Sequence, residues 1–269
     1  MPALTVETDP VFDRGDTRIA VAGDWHINTD WALKTIAHLK TLGIKTIYQL
    51  GDFGIWPGRD DFVLAVQDAL RVADITLVVT PGNHENWQVI DEALERSGGI
   101  PFHPLDCDSI WVLPKVWRFT HAGRTFLSLG GAPSVDREER AGEYVDWWPT
   151  EVLDENDVRH AIAGGASDIM LTHDAPHGAA EKVEEIAARR MDEHPMWRDY
   201  MQQGRYLLDQ VYERARPRLL LHGHYHLGGV SENELGMMVS LNRDGQPFAT
   251  VIVDLADDNL PVVFVDGVI

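Results

Sequence analysis

The sequence predicts an α/β protein with two sheets, and three observations carry that expectation. Five short runs, "IAVAG" (19–23), "TIYQLG" (46–51), "ITLVVT" (75–80), "DIMLTH" (168–173) and "RLLLHG" (218–223), have the length and apolar content of buried strands. Segments with helical apolar spacing, 30–43 and 60–73, separate the first three, which is the signature of a parallel α/β sheet. The stretches "SIWVLP", "VWRFTHAGRTFLSLGGAP", "GMMVSLNR", "PFATVIVDL" and "LPVVFVDG" alternate and turn at Gly, Asn and Asp, as antiparallel hairpins do. They predict a second, largely antiparallel sheet packed on the first.

A further helix is expected over 86–98. Residues 178–215 are charged and helical in spacing, which fits either a helical insertion covering a site or a solvated helix pair. Repeats, low-complexity stretches and an evident linker are lacking, so residues 1–269 read as a single domain.

Composition narrows the partners. With 44% hydrophobic and 25% charged residues, 269 residues can bury a substantial core. Net charge is −20, from 43 acidic against 23 basic residues, without the basic stripe that duplex nucleic acid requires. Most of that acid serves solubility. A membrane span or secretory signal is not expected, since no run of eighteen apolar residues occurs. The single Cys107 excludes an intramolecular disulfide and a Cys-rich metal site, and a reducing, cytoplasmic setting is the simplest expectation.

The residues immediately after each strand carry the chemistry. The first run leads into "GDWH" (Asp24, His26), the second into "GDFG" (Asp52) and the third into "PGNHE" (Asn83, His84). The fourth ends at His173, and the fifth gives "HGHYH" (His224, His226). Open α/β sheets place ligand sites at the carboxyl ends of strands, so these side chains should converge. Glycines at 23, 51, 54, 82 and 223 permit the tight turns that aim them inward. Any one of these motifs is weak, but five in succession are specific. Carboxylates, imidazoles and an amide without thiolate suit Mn²⁺ first, with Fe, Zn, Ni or Co as alternatives, over Mg²⁺ or Ca²⁺. Asp24, His26, Asp52, Asn83, His173, His224 and His226 are too many for one tetrahedral ion. They suit two divalent or trivalent ions sharing a carboxylate and a hydroxide, the arrangement that clamps both oxygens of a phosphoryl transfer.

The set "GDWH … GDFG … GNHE … TH … GHYH" resembles the calcineurin-like metallophosphoesterase superfamily, whose blocks are D-x-H, GD, GNH(D/E), a strand-end histidine and GHxH. The resemblance runs from residue 23 to 226. It implies a four-layer α/β/β/α sandwich of two mixed sheets flanked by helices. It further implies that Asp24, His26 and His226 hold one metal, that Asn83, His173 and His224 hold the other, and that Asp52 bridges them. His84 would then be the catalytic group that contacts phosphate and helps protonate the leaving oxygen.

The departures from that pattern matter. Ile27 stands where the protein serine/threonine phosphatases of this superfamily have glycine, "GDFGIWPG" has no DRG arginine, and Pro81 replaces the arginine of RGNHE. Without those arginines the protein-phosphatase reading loses its support. The block "GGAPSVDREERAGEYVDWWPTE" (130–151) resembles a segment of small prokaryotic and bacteriophage members, such as those of mycobacteriophages. The resemblance therefore implies a phosphodiesterase acting on small nucleotide phosphodiesters, such as 2′,3′- or 3′,5′-cyclic nucleotides, through a metal-bridging hydroxide. A metal-dependent DNA or RNA nuclease is the alternative, and a non-catalytic interaction scaffold is a third reading that the full ligand set disfavours.

Several neighbours have both a functional and an ordinary reading. Trp25, Phe53 and Trp56 flank the metal-binding turns and would stack on a nucleobase, or be core. Arg137 and Arg140 would hold phosphate, or lie on the surface; Asp174 and His177 would line the pocket, or form a polar loop. Glu85 would orient His84 or serve as a first-turn acid, Trp147 and Trp148 would anchor their loop by burial, and His222 is expected to be structural. Oligomeric state is not legible.

Overall fold

The computed structural model describes residues 13–265. In chain order the elements begin β1 (Arg18–Ala22), α1 (Thr29–Thr41), β2 (Thr46–Gln49), α2 (Asp60–Ala73), β3 (Thr76–Val79) and α3 (Trp87–Ser97). Then come β4 (Ile110–Val112), β5 (Val116–His121), β6 (Arg124–Leu129), α4 (Glu155–Ala163), β7 (Ile169–Thr172), α5 (Glu181–Glu193) and α6 (Arg198–Ala215). The chain closes with β8 (Leu219–His222), β9 (Gly229–Glu232), β10 (Met237–Ser240), β11 (Thr250–Asp254) and β12 (Val262–Phe264).

Each expected strand and helix forms, but the assignment of strands to sheets is corrected. One six-stranded sheet runs β12-β11-β1-β2-β3-β4 and the other β5-β6-β7-β8-β10-β9. β1 to β4 are mutually parallel, as are β6, β7, β8 and β10, while β12, β11, β5 and β9 add antiparallel partners at the edges. The second sheet is therefore mixed and not largely antiparallel. Of the five apolar runs, three lie in the first sheet and two in the second. Alternation marks the later strands as half-buried, yet pairing across the fold decides which sheet accepts them.

Burial explains the layering. In β1, Ile19 and Val21 face the space between the sheets, where Tyr48, Val78, Phe119, Phe126, Leu171, Leu221 and Val253 join them. Ala20 and Ala22 face the other way, into a core completed by Ile36 and Leu39 of α1 and by Phe62, Val66 and Leu70 of α2. The second sheet likewise turns Leu127, Met170, Leu220 and Met238 outward onto Val158 of α4 and onto Leu207, Leu208 and Val211 of α6. Strands apolar on both faces must be covered on both, and the outcome is a four-layer α/β/β/α sandwich. Among the described residues no helix is long and apolar enough to cross a membrane.

Candidate metal centre and active site

The carboxyl ends of β1, β2 and β3 from one sheet meet those of β7 and β8 from the other, and the predicted side chains converge there. Ligand atoms of Asp24, His26, Asp52 and His226 all lie within 4.8 Å of one another. Asp52 divides the site: its Oδ2 is 3.6 Å from His26 Nε2, while its Oδ1 is 3.3 Å from His173 Nε2. On the first side His226 Nε2 stands 3.1 Å from Asp24 Oδ2. On the second, Asn83 Oδ1 is 2.9 Å from His173 Nε2, and the rings of His173 and His224 are 5.0 Å apart.

Local backbone geometry presents these groups. His26, Asp52, His224 and His226 all have left-handed φ, at 43°, 52°, 67° and 55°. Non-glycine residues held there cost about 1–3 kcal/mol each and cluster at functional sites. Gly82 is required by close approach, because a Cβ there would strike the Asp52 amide and carboxylate.

The ring orientations suit metal ligation. His173 donates from Nδ1 to the Leu50 carbonyl at 2.6 Å, leaving Nε2 toward the cluster. His26 Nδ1 is held by Asp244 Oδ1 at 2.9 Å, and the other Asp244 oxygen accepts from Asn28 Nδ2 at 2.6 Å. Asp24 Oδ2 is buried and has no hydrogen-bond partner among the described residues. Burial opposes the charged His26 ring, but Asp52, Asp24 and Asp244 outweigh it and raise its pKa to about 9. For His173 burial is likewise overcome, by Asp52 and Asp24. Two buried carboxylates thus draw positive charge inward, and the donor set fits divalent cations.

His84 is half-exposed beside this cluster, its ring centroid 6.3 Å from that of His26. Burial holds its pKa below the ordinary histidine value, Asp52 opposes that and Arg140 adds to it. Glu85 does neither of the things its position suggested: Asn86 caps α3, and the buried Glu85 carboxylate accepts the backbone amides of Asp52, Gly54 and Gly82. Burial, with Asp52 nearby, pushes Glu85 up to about 7.

Other expectations are corrected. Trp25 and Phe53 are core side chains packed on each other at 5.7 Å, with no ring face free for a nucleobase. Trp56 donates its Nε1–H to the His84 carbonyl and packs on Trp148. Exposed His177 pairs with Asp209 of α6 at 2.7 Å and does not line the cavity over the cluster. Arg137 is stacked on the rings of Trp147 and Trp197, 3.5 and 4.2 Å from their centroids, and Trp147 and Trp148 are buried. His222 is fully buried, contacts the Gly223 carbonyl through Nδ1, and is pushed by burial down to about 4.

That cavity has a volume of about 720 Å³. Its floor includes Asp52, Asn83, His84, His224 and His226. Its walls include Ile186, Arg190 and Met191 of α5, Met201 of α6, and Arg243 of the 242–248 loop. Asp174 also lines it, with its Oδ1 accepting from Tyr225 Oη at 2.8 Å. Sequence reasoning missed Asp244, which holds the His26 ring, since "NRDG" reads only as a turn.

An α/β/β/α sandwich with an Asp–His–Asn cluster at converging strand ends has a donor set that fits divalent cations, as metal-dependent phosphoesterases use. The calcineurin-like phosphoesterase family model matches residues 17–228, and the chain belongs to that family. Solved structures agree on the fold. A dimetal phosphatase from Danio rerio superposes with TM-score 0.58 at 13% identity, over 93% of this chain and 99% of its own. A Thermus thermophilus protein gives 0.57 at 14%, over 93% and 98%. GAP50, the anchor in the inner membrane complex of Plasmodium, gives 0.51 at 13%, over 93% and 85%. No curated protein matches the sequence.

Proposed function

We propose that this family member is a phosphodiesterase for small nucleotide phosphodiesters, working with two divalent cations, Mn²⁺ foremost. The observation that carries the reading is the division of the site by Asp52, whose two oxygens face two separate donor groups. Asp24, His26 and His226 would hold one cation and Asn83, His173 and His224 the other, with the Asp52 carboxylate between the two groups. When bound, the two cations supply Lewis-acid charge at the phosphoryl oxygens and an activated water as nucleophile.

The residues of the chain do the rest. Asp244 and the Leu50 carbonyl fix the ring planes of His26 and His173. His84, facing the cavity, stabilises charge developing on the departing oxygen. The α5–α6 hairpin forms one wall and serves as the cover, setting Ile186, Met191 and Met201 where the apolar part of a substrate would lie. A cavity of this size and an acidic surface favour a small substrate over a duplex. The cytoplasmic setting and the prokaryotic or phage origin belong to this same reading.

The test is hydrolysis of bis-p-nitrophenyl phosphate with Mn²⁺ and with chelator, followed by a panel of cyclic nucleotides, linear dinucleotides and phosphomonoesters. Mn²⁺-stimulated turnover that prefers diesters supports the proposal. Phosphomonoesters hydrolysed faster than every diester would refute it, and salt-sensitive cleavage of long single strands would favour the nuclease.

A further inference from the structure

We infer that the 131–151 segment is a built positioning device for Asn83 and His84, in which Arg140 aligns the His84 ring and Glu151, acting through Ser134, aligns the Asn83 amide. The inference rests on the phosphoesterase reading and assigns the segment that the metal set leaves unexplained.

Arg140 has a nearly buried side chain and is fixed by its whole fork. Its Nε and Nη2 donate to the two oxygens of Asp136 at 3.1 and 3.0 Å, and Nη1 donates to the Asp146 carbonyl at 2.6 Å. Nη2 also donates to Ser134 Oγ at 3.2 Å and stands 3.1 and 3.2 Å from the two ring nitrogens of His84. Asp136 Oδ2 lies 3.8 Å from His84 Nε2. The imidazole is therefore bounded by a guanidinium hydrogen-bonded at all three nitrogens and by the carboxylate that holds it.

The second arm begins on α6. Tyr200 Oη and Trp147 Nε1 each donate at 2.8 Å to Oε1 of fully buried Glu151, and the Ser134 amide donates to the same oxygen at 2.8 Å. Ser134 Oγ then accepts from Asn83 Nδ2 at 3.1 Å, which turns Asn83 Oδ1 toward His173 and the cluster. An amide ligates a cation through its oxygen, so anchoring the nitrogen end selects the useful orientation. Neighbouring residues 83 and 84 are thus contacted from one segment by Ser134 and Arg140, which are themselves joined by the Nη2–Oγ hydrogen bond.

The experiment is a double-mutant cycle on the Mn²⁺-loaded protein, R140A against H84A, with two leaving groups: p-nitrophenolate from bis-p-nitrophenyl phosphate, and the alkoxide of a dinucleoside phosphate. An alkoxide depends on assistance at the leaving oxygen, so R140A should lower its kcat about 100-fold and that of the activated ester less than tenfold. In the H84A background R140A should add less than about threefold, because the residues act as one unit. Free guanidinium should restore part of the R140A loss, and Mn²⁺ affinity by calorimetry should fall less than in S134A, since Arg140 reaches Asn83 only through its contact with Ser134 Oγ. S134A should instead weaken Mn²⁺ binding about tenfold. Equal losses for both leaving groups, or full multiplication in the cycle, would overturn the Arg140 arm, and unchanged Mn²⁺ affinity in S134A would overturn the Asn83 arm. A wild-type protein inactive on both substrates would sink the phosphoesterase reading and still leave the S134A titration able to decide its arm.

Discussion

Glu151→Gln should flatten the pH dependence of stability. The Glu151 carboxylate is fully buried, and its Oε2 has no hydrogen-bond partner among the described residues. Burial pushes its pKa from the ordinary 4.5 up to about 7, although Ser134, Tyr200 and Trp147 hydrogen-bond it and pull the other way. A raised acid pKa means that the folded chain holds the proton more tightly than the unfolded one. Stability from this group is complete below pH 4.5 and is lost as pH rises through about 7. At 1.36 kcal/mol per pH unit the full span is worth about 3 kcal/mol, and about 2 kcal/mol falls between about pH 5 and pH 7.5. Urea unfolding with chelator present, so that metal linkage adds no slope, measures it at those two pH values. Wild type should lose about 2 kcal/mol more than the glutamine variant over the interval. Equal losses in the two proteins would refute the reasoning. Glu85, also pushed up to about 7, gives both proteins the same background slope.

Two further outcomes rest on contacts outside the predicted ligand set. Asp244→Ala frees the His26 ring and should weaken Mn²⁺ affinity about 10- to 100-fold by calorimetry, so an unchanged titration would remove Asp244 from the site. Phe126→Ala opens a cavity between the sheets, where Phe126 stacks on Phe119 and Tyr48 at 4.9 and 5.4 Å. It should cost about 3–5 kcal/mol and lower Tm by roughly 10 °C in a calorimetric scan, and a loss below about 1 kcal/mol would mean that the layers do not pack as described.

The strand-end motifs were legible because each is local: an apolar run, a glycine turn and a donor side chain occupy a few consecutive residues. Sheet membership was not legible, because it is decided by pairing partners far away in sequence. β4 and β5 are separated by only three residues yet belong to different sheets, as do β10 and β11. Nothing in the alternation of Ile110–Val112 or Val116–His121 says which edge each will join. Asp244 was hidden for a similar reason. Its loop returns to the end of β1, where the Asp244 amide donates to the Asp24 carbonyl at 2.8 Å, a proximity that no sequence spacing encodes. Arg140, within "DREER", reads as a phosphate holder or a surface charge, and only the fold shows that its fork is filled by Asp136, Ser134 and Asp146.

The candidate centre draws on both sheets. Asp24, His26, Asp52 and Asn83 come from the first sheet, and His173, His224 and His226 from the second, so the centre sits on the seam between them. Asp24 and Asp52 are both buried, and burial of like charges is costly without a compensating cation. Within the chain, His173 and His226 reach across from the second sheet to Asp52 and Asp24 of the first. Cations seated among these groups would therefore act as a cross-link as well as supplying chemistry, and their binding free energy would appear directly as stability of the sheet-to-sheet packing. The left-handed backbone at His26, Asp52, His224 and His226 places residues of this strained kind on both sides of the seam, where such conformations cluster at functional sites.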